Sequence, residues 1–211
     1  MFQLGYWENR YRQGGVSGEG SVGEERAWKW KIIDSYVPNL EGVVDVGCGD
    51  LSFWLGRKCK DYVGIDISET ILEKNKSSHP EWRFILASSD KFIKGLKREC
   101  VFCFDLLFHI MKEDSFVKTL HNICRYSSRY LFVYTWKNNP FSRLNALRNF
   151  LTNLELLSLK YVIFPSKTDM KYQYFISLVE YYDIFQKYGF QLLSEHENPN
   201  KLGCMYVFKK K

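Results

Sequence analysis

The residues with the clearest chemical potential lie in Val43-Val44-Asp45-Val46-Gly47-Cys48-Gly49-Asp50, where an apolar run meets a glycine-rich turn. Glycines there let a ligand approach bare backbone, and a helix opening just beyond offers it unpaired N–H groups. A second acid, Asp66, closes the next apolar run, Val63-Gly64-Ile65-Asp66, 17 positions after Gly49. A carboxylate at the end of a second strand can accept both hydroxyls of a ribose. Asp66 could instead cap the helix that follows, but Ser68 is the better cap for Glu69 onward. His109 follows the fourth apolar run, and its ordinary pKa range suits proton removal near neutrality. The other reading of His109 is a structural imidazole bonded to nearby backbone.

Strands and helices must bring these residues together. Apolar runs at Gly42–Val46, Tyr62–Ile65, Arg83–Ala87, Cys100–Leu106 and Tyr130–Thr135 read as strands. Helical stretches are expected between them near Ser52–Lys58, Glu69–Lys76, Asp90–Leu96 and Asp114–Tyr126. Strand, helix, strand with short connections predicts an α/β fold: a Rossmann-like, doubly wound, mainly parallel sheet. Phe190–Ser194 and Cys204–Phe208 would close it as a C-terminal antiparallel hairpin, making seven strands. Capping boxes at Ser21/Glu24 and Ser177/Glu180 predict two further helices, ended by Pro38 and Gly189 respectively.

The 211 residues read as one domain, with 1–40 a helical and loop lead-in and 41–136 the ligand-binding core. Residues 137–175 are an insertion suited to a substrate cap, and 176–211 supply the last helix and hairpin. Within the insertion, Leu144, Leu147, Leu151 and Leu154 share one helical stripe and read as core or lid packing. Lys160, Lys167, Lys171, Tyr172 and Tyr174 could meet an anionic or sugar acceptor there.

No apolar run approaches the roughly 20 residues of a bilayer span, and the N-terminus has no signal-peptide pattern, so the chain is expected in the cytoplasm, away from membranes. Six scattered cysteines agree with a reducing compartment. Cys100 and Cys103 have CxxC spacing, but on a strand they face opposite ways, so no metal site is expected. The net charge of +6 could attract nucleic acid, yet no aromatic-basic RNA motif accompanies it, and a solvated lysine-rich surface is the simpler reading.

Two ligands suit the glycine turn. A dinucleotide fingerprint wants a third glycine three residues after Gly49, where this chain has Ser52. S-adenosylmethionine carries no phosphate, which relaxes that requirement. Val44-Asp45-Val46-Gly47-Cys48-Gly49-Asp50 resembles motif I of class I S-adenosylmethionine-dependent methyltransferases, and Gly64-Ile65-Asp66-Ile67-Ser68 resembles their second-strand motif. The run from Glu99 to Ile110 is similar to their fourth-strand pattern. Trp7-Glu8-Asn9-Arg10-Tyr11 also resembles the aromatic lead-in of many members, including methyltransferases of bacterial polysaccharide biosynthesis. The likeness is to the small-molecule or glycan type, methyltransferase 11/12-like.

The resemblance implies roles for named residues. Asp45, Gly47, Cys48 and Gly49 would line the methionine and ribose end of S-adenosylmethionine, and Asp66 would hold the ribose. Ile67 would pack on adenine, Ser88 and Ser89 would stand at the adenine edge where members often carry an acid, and Tyr11 would lie against the cofactor. Asp105 and Leu106 would flank the reacting methyl, with His109 the candidate base. Leu51 departs from the family in replacing a common glycine. The expected activity is methyl transfer to an oxygen or nitrogen of a small-molecule or glycan-type acceptor. The alternatives are a non-catalytic cofactor-binding subunit and an RNA methyltransferase.

Overall fold

The apolar runs form strands because both their faces are covered. A computed structural model describes residues 2–153, 158–169, 172–199 and 202–211. The strands are β1 (Gly42–Val46), β2 (Asp61–Asp66), β3 (Arg83–Leu86), β4 (Arg98–Phe104), β5 (Ser127–Trp136), β6 (Phe190–Glu197) and β7 (Gly203–Lys210). They make one sheet in the order β3-β2-β1-β4-β5-β7-β6. β1 to β5 are parallel, and β7 runs antiparallel to both β5 and β6. This is the Rossmann-like sheet with a C-terminal hairpin that the sequence pattern implies.

The helices are α1 (Phe2–Arg12), α2 (Gly23–Tyr36), α3 (Glu69–Ser78), α4 (Glu113–Tyr126), α5 (Arg143–Asn153), α6 (Leu159–Ile163) and α7 (Tyr182–Lys187). Alternate strand residues feed two separate core layers, as a period of two requires. Val44, Val63, Val101 and Cys103 pack with Leu120 and Ile123 of α4 and Phe185 of α7. Val43, Tyr62, Cys100 and Phe102 pack with Trp30 and Ile33 of α2 and Leu72 of α3. Each such aliphatic side chain contributes about 1.5–3 kcal/mol through burial. Cys100 and Cys103 thus lie on opposite faces, and all six cysteines are free and buried.

Several local expectations do not hold. The helix expected over Ser52–Lys58 is a single 3-10 turn, Ser52–Trp54, set between Leu51 at φ 61° and Gly56 at φ 73°. Asp90–Leu96 forms turns rather than a helix, with Gly95 at φ 78°. Ser21 ends a 3-10 turn, and α2 begins two residues later without a side-chain cap. Ser177 likewise makes no cap bond; a 3-10 turn, Leu178–Tyr181, precedes α7. Gly189, at φ 80°, does follow the end of that helix. Leu144, Leu147 and Leu151 are exposed on α5 instead of packed, while Leu154 and Lys171 lie outside the described residues. Among the described residues, no helix is long and apolar enough to cross a membrane.

Strand order reverses between β1 and β4, and a doubly wound sheet opens a crevice at the carboxyl ends of its strands at such a point. Gly47, Asp66 and Asp105 directly follow or end β1, β2 and β4, so the fold gathers them there.

Candidate active site

A cavity of about 280 Å³ occupies that crevice. Its floor is the turn after β1. Gly47 has φ 80°, and its N–H and that of Cys48 both donate to the Ile65 carbonyl at 2.8 and 3.1 Å. Gly49 has φ 54°; its N–H donates to Asp66 Oδ2 at 3.0 Å, and its carbonyl accepts from Asn75 Nδ2 at 2.7 Å. A Cβ on Gly49 would collide with the Ser17 hydroxyl and stand 3.0 Å from that of Tyr11. Backbone is therefore bared to the cavity by necessity. Leu51 also adopts a left-handed conformation, which costs a residue with a Cβ about 1–2 kcal/mol. That geometry accounts for the glycine common at this position in the family it resembles.

Asp66 is fastened from two sides, since Oδ1 accepts from Ser68 N–H at 3.0 Å. Burial pushes its carboxyl up, and the N–H groups of Ser68, Gly49 and Ile67 hold it back. Ser68 caps α3 through its hydroxyl, accepting from Ile71 N–H. Ile67, Ala87, Ser88 and Ser89 continue the wall. Ser89 pairs with Thr119 across 2.9 Å, and its carbonyl accepts from Asn122.

Asp45 is the one expected site residue turned away from the cavity. Its Oδ2 accepts from Trp54 Nε1 at 2.7 Å and from the Tyr62 hydroxyl at 2.9 Å, within the aromatic layer behind β1. Burial pushes its carboxyl up to about 6, against those two bonds. Asp105, with Leu106 beside it, does line the cavity, at φ 54°. It is ion-paired with Lys29 of α2, whose ammonium also donates to the Gly20 carbonyl and sits 3.9 Å above the Tyr134 ring.

α1 and the segment after it form the remaining wall. Tyr11 is buried and bonds Ser17 at 3.2 Å. Ser17 and Asp50 are bonded reciprocally: Ser17 N–H donates to Asp50 Oδ2 at 2.7 Å, and Asp50 N–H donates to Ser17 Oγ at 3.1 Å. Glu8 anchors the helix to α3, accepting from the hydroxyls of Ser68 and Thr70. His109 is buried against Trp7, Phe108 and Tyr172. Its Nδ1 lies 3.1 Å from the Tyr172 carbonyl; a carbonyl only accepts, so Nδ1 carries the hydrogen and Nε2 keeps its lone pair. Burial lowers its pKa to about 4, so it is neutral at pH 7.

Sequence reasoning missed Lys29, Ser17, Trp7 and the Glu8 anchor. Lys29 carried a signal: with Ile32, Ile33 and Tyr36 it occupies the stripe of α2 that packs inward. Trp7 and Glu8 lay within the aromatic lead-in that the resemblance marks, and Ser17 gave none, because its partner Asp50 lies 33 residues away.

This is the Rossmann-like fold of class I S-adenosylmethionine-dependent methyltransferases. Residues 43–128 match the model of the family described as "Methyltransferase domain", and the cofactor that goes with that domain is S-adenosylmethionine. No curated protein matches the chain. Among solved structures, it is similar to magnesium protoporphyrin IX methyltransferase from Synechocystis PCC 6803 with bound S-adenosylhomocysteine (17% identity, 99% of this chain and 97% of that one, TM-score 0.65). N-methyltransferase NodS from Bradyrhizobium japonicum WM9, also with that product, shares 7% identity over 100% and 99% of the two chains, at a TM-score of 0.66. Burkholderia thailandensis 1,6-didemethyltoxoflavin-N1-methyltransferase shares 10% identity over 99% and 87%, again at 0.66. These likenesses are of fold.

Proposed function

We propose that the chain is a cytoplasmic enzyme that transfers the methyl group of S-adenosylmethionine to an oxygen or nitrogen of a small-molecule or glycan-type acceptor. The observation that carries this reading is the convergence of Gly47, Gly49, Asp66 and His109 on one cavity at the sheet's switch point. The residues fit the donor: a left-handed glycine turn bares backbone, and the Asp66 carboxylate keeps a lone pair beyond the N–H groups it accepts. Asp66 would take the ribose hydroxyls, Ile67 the adenine face, Ser88 and Ser89 its edge, and Asp105 the methionine end.

Bound there, S-adenosylmethionine supplies an electrophilic methyl carbon on a cationic sulfur. The protein's tasks are alignment, exclusion of water and removal of one proton. His109 Nε2 would accept that proton from the acceptor O–H or N–H, while the bound donor would supply the methyl carbon to the heteroatom and leave as the neutral thioether as its carbon–sulfur bond breaks. Tyr172 holds the imidazole in the required tautomer through its carbonyl. Tyr172 and Gln173 bring residues 137–175 to the cavity wall, which supports that segment as part of an acceptor cap. The structural relatives named above act on a porphyrin and on didemethyltoxoflavin, which supports a small-molecule acceptor.

Calorimetric titration with S-adenosylhomocysteine, in parallel with NAD and repeated with Asp66→Ala, tests the donor site. Binding of the homocysteine adduct that the substitution weakens is expected; binding of NAD alone would overturn the reading. Transfer of labelled methyl to acceptor pools then separates an enzyme from a non-catalytic subunit.

A further inference from the structure

We infer that the acceptor is a planar aromatic molecule bearing a compact anionic group such as a carboxylate, recognised by Arg10; this rests on the proposed methyltransferase reading. Around the candidate base the cavity wall is made of rings. Tyr6 and Tyr172 stack at 4.4 Å with 12° between planes, and Tyr172 stacks on His109 at 5.4 Å. Trp7 presents its ring edge-on to both Tyr6 and His109, at 5.2 and 5.0 Å. Phe108 packs on His109 and is braced from behind by Trp136, 4.4 Å away and nearly parallel. Such a wall recognises a flat π-system through stacking and edge contacts.

Its polar groups are few. A sugar would bring a hydroxyl on nearly every carbon and needs a partner for each one it buries. On this wall the side chains able to supply them are Arg10, Gln173, His109 and the Tyr6 and Tyr172 hydroxyls. Arg10 is half-buried, donating through Nε to the Val16 carbonyl at 2.7 Å and through Nη1 to the Tyr6 hydroxyl at 3.4 Å. Its guanidinium lies 5.8 Å from the Trp7 ring centre, so the cation borders the aromatic wall. No carboxylate among the described residues pairs with it, and its Nη2 edge stays available for a planar anion.

The acids nearby are engaged or placed elsewhere. Asp66 is tied to the glycine turn, and Asp105 is paired with Lys29. Glu19 is exposed, next to the Gly20 that abuts Asp105. Asp169 accepts from the backbone N–H groups of Tyr172 and Gln173. Arg10 is therefore the positive group that the ring wall presents to an incoming ligand.

The test uses the full chain loaded with S-adenosylhomocysteine, and calorimetry with three probes: 3-hydroxy-2-naphthoate, its neutral carboxamide, and methyl β-glucoside. The naphthoate is expected to bind about tenfold more tightly than the amide, and the glucoside not at all. Arg10→Gln should erase the acid-over-amide preference, and Tyr172→Leu should weaken both aromatic probes alike. Equal affinity for acid and amide in the unmodified protein, a preference that survives Arg10→Gln, or tighter binding of the glucoside would each overturn the inference. The acid–amide comparison needs no variant, so misfolding of either substitution leaves it decisive. Failure to load S-adenosylhomocysteine overturns the methyltransferase reading itself, and this inference with it.

Discussion

Lys29 is completely shielded from solvent, yet its ammonium meets the Asp105 carboxylate, 76 residues along the chain. α2 thereby delivers a positive charge to the end of β4, where Asp105 holds a left-handed turn. Asp105 is 27% exposed at the cavity wall, so it is removal of Asp105 that strands its partner, leaving the Lys29 ammonium in a low-dielectric setting. Asp105→Asn is expected to lower unfolding stability by about 3 kcal/mol, whereas Lys29→Met with Asp105→Asn together should recover much of that loss. Urea melts of the three proteins give the coupling directly. If the single and double variants are equally unstable, the pair contributes nothing beyond packing.

Asp66 and Gly49 share a hydrogen bond of 3.0 Å, so the ribose contact proposed for Asp66 would be coupled to the shape of the turn. Asp66→Ala should weaken S-adenosylhomocysteine about a hundredfold, the equivalent of two hydrogen bonds to a charged acceptor at about 1.5 kcal/mol each. Gly49→Ala should be at least as damaging, because φ 54° strains any side chain and its Cβ meets Ser17 and Tyr11. Calorimetry beside thermal melts separates lost binding from lost fold.

Glu8 carries a pH signature. Its carboxyl is held down to about 2 from an ordinary 4.5, first by the Thr70 hydroxyl and next by that of Ser68. A depressed acid stabilises the fold above its unfolded pKa and loses that effect as pH falls through its folded one. The stability gap between the unmodified protein and Glu8→Gln should be constant above about pH 4.5 and close between there and pH 2. A gap unchanged over that window would mean the anchor does not depend on charge. Hydrogen exchange along α1 should report the same loosening locally.

His109 has the complementary signature. An imidazole whose pKa falls from 6.5 to about 4 opposes folding once the unfolded chain takes up its proton. Its contribution to stability is therefore full above pH 6.5 and declines on acidification towards 4. As a base it should leave methyl transfer to an identified acceptor level from pH 8 to 6 and lower it near pH 4. His109→Gln should slow transfer about a hundredfold with donor-product affinity retained. A rate indifferent to that substitution would reduce His109 to packing.

The legible parts of this molecule were local. β1 fell on its expected residues, Gly42–Val46, since its apolar character comes from its own sequence, and Ser68 capped α3 as its position implied. Asp66 could be placed because it ends its own apolar run, and Asp105 through the resemblance of its run to a fourth-strand pattern; the strand order sets both at the crevice. Pairings across the chain were not legible: Ser17 with Asp50 spans 33 residues, and Glu8 with Ser68 spans 60. The helix expected after the glycine turn failed for a conformational reason, the left-handed Leu51 and Gly56 on either side. The α5 leucines show the limit of periodicity, which finds a stripe but not what covers it.

α1 carries Tyr6, Trp7 and Arg10 towards the proposed acceptor wall and Tyr11 towards the glycine turn proposed for the donor. Both compartments thus share a single helix. Lifting the helix to exchange the nucleoside would dismantle the acceptor wall at the same time, while the wall can form only once the helix has come down. Steady-state kinetics should consequently be of compulsory order, with the donor entering first and its spent form departing last.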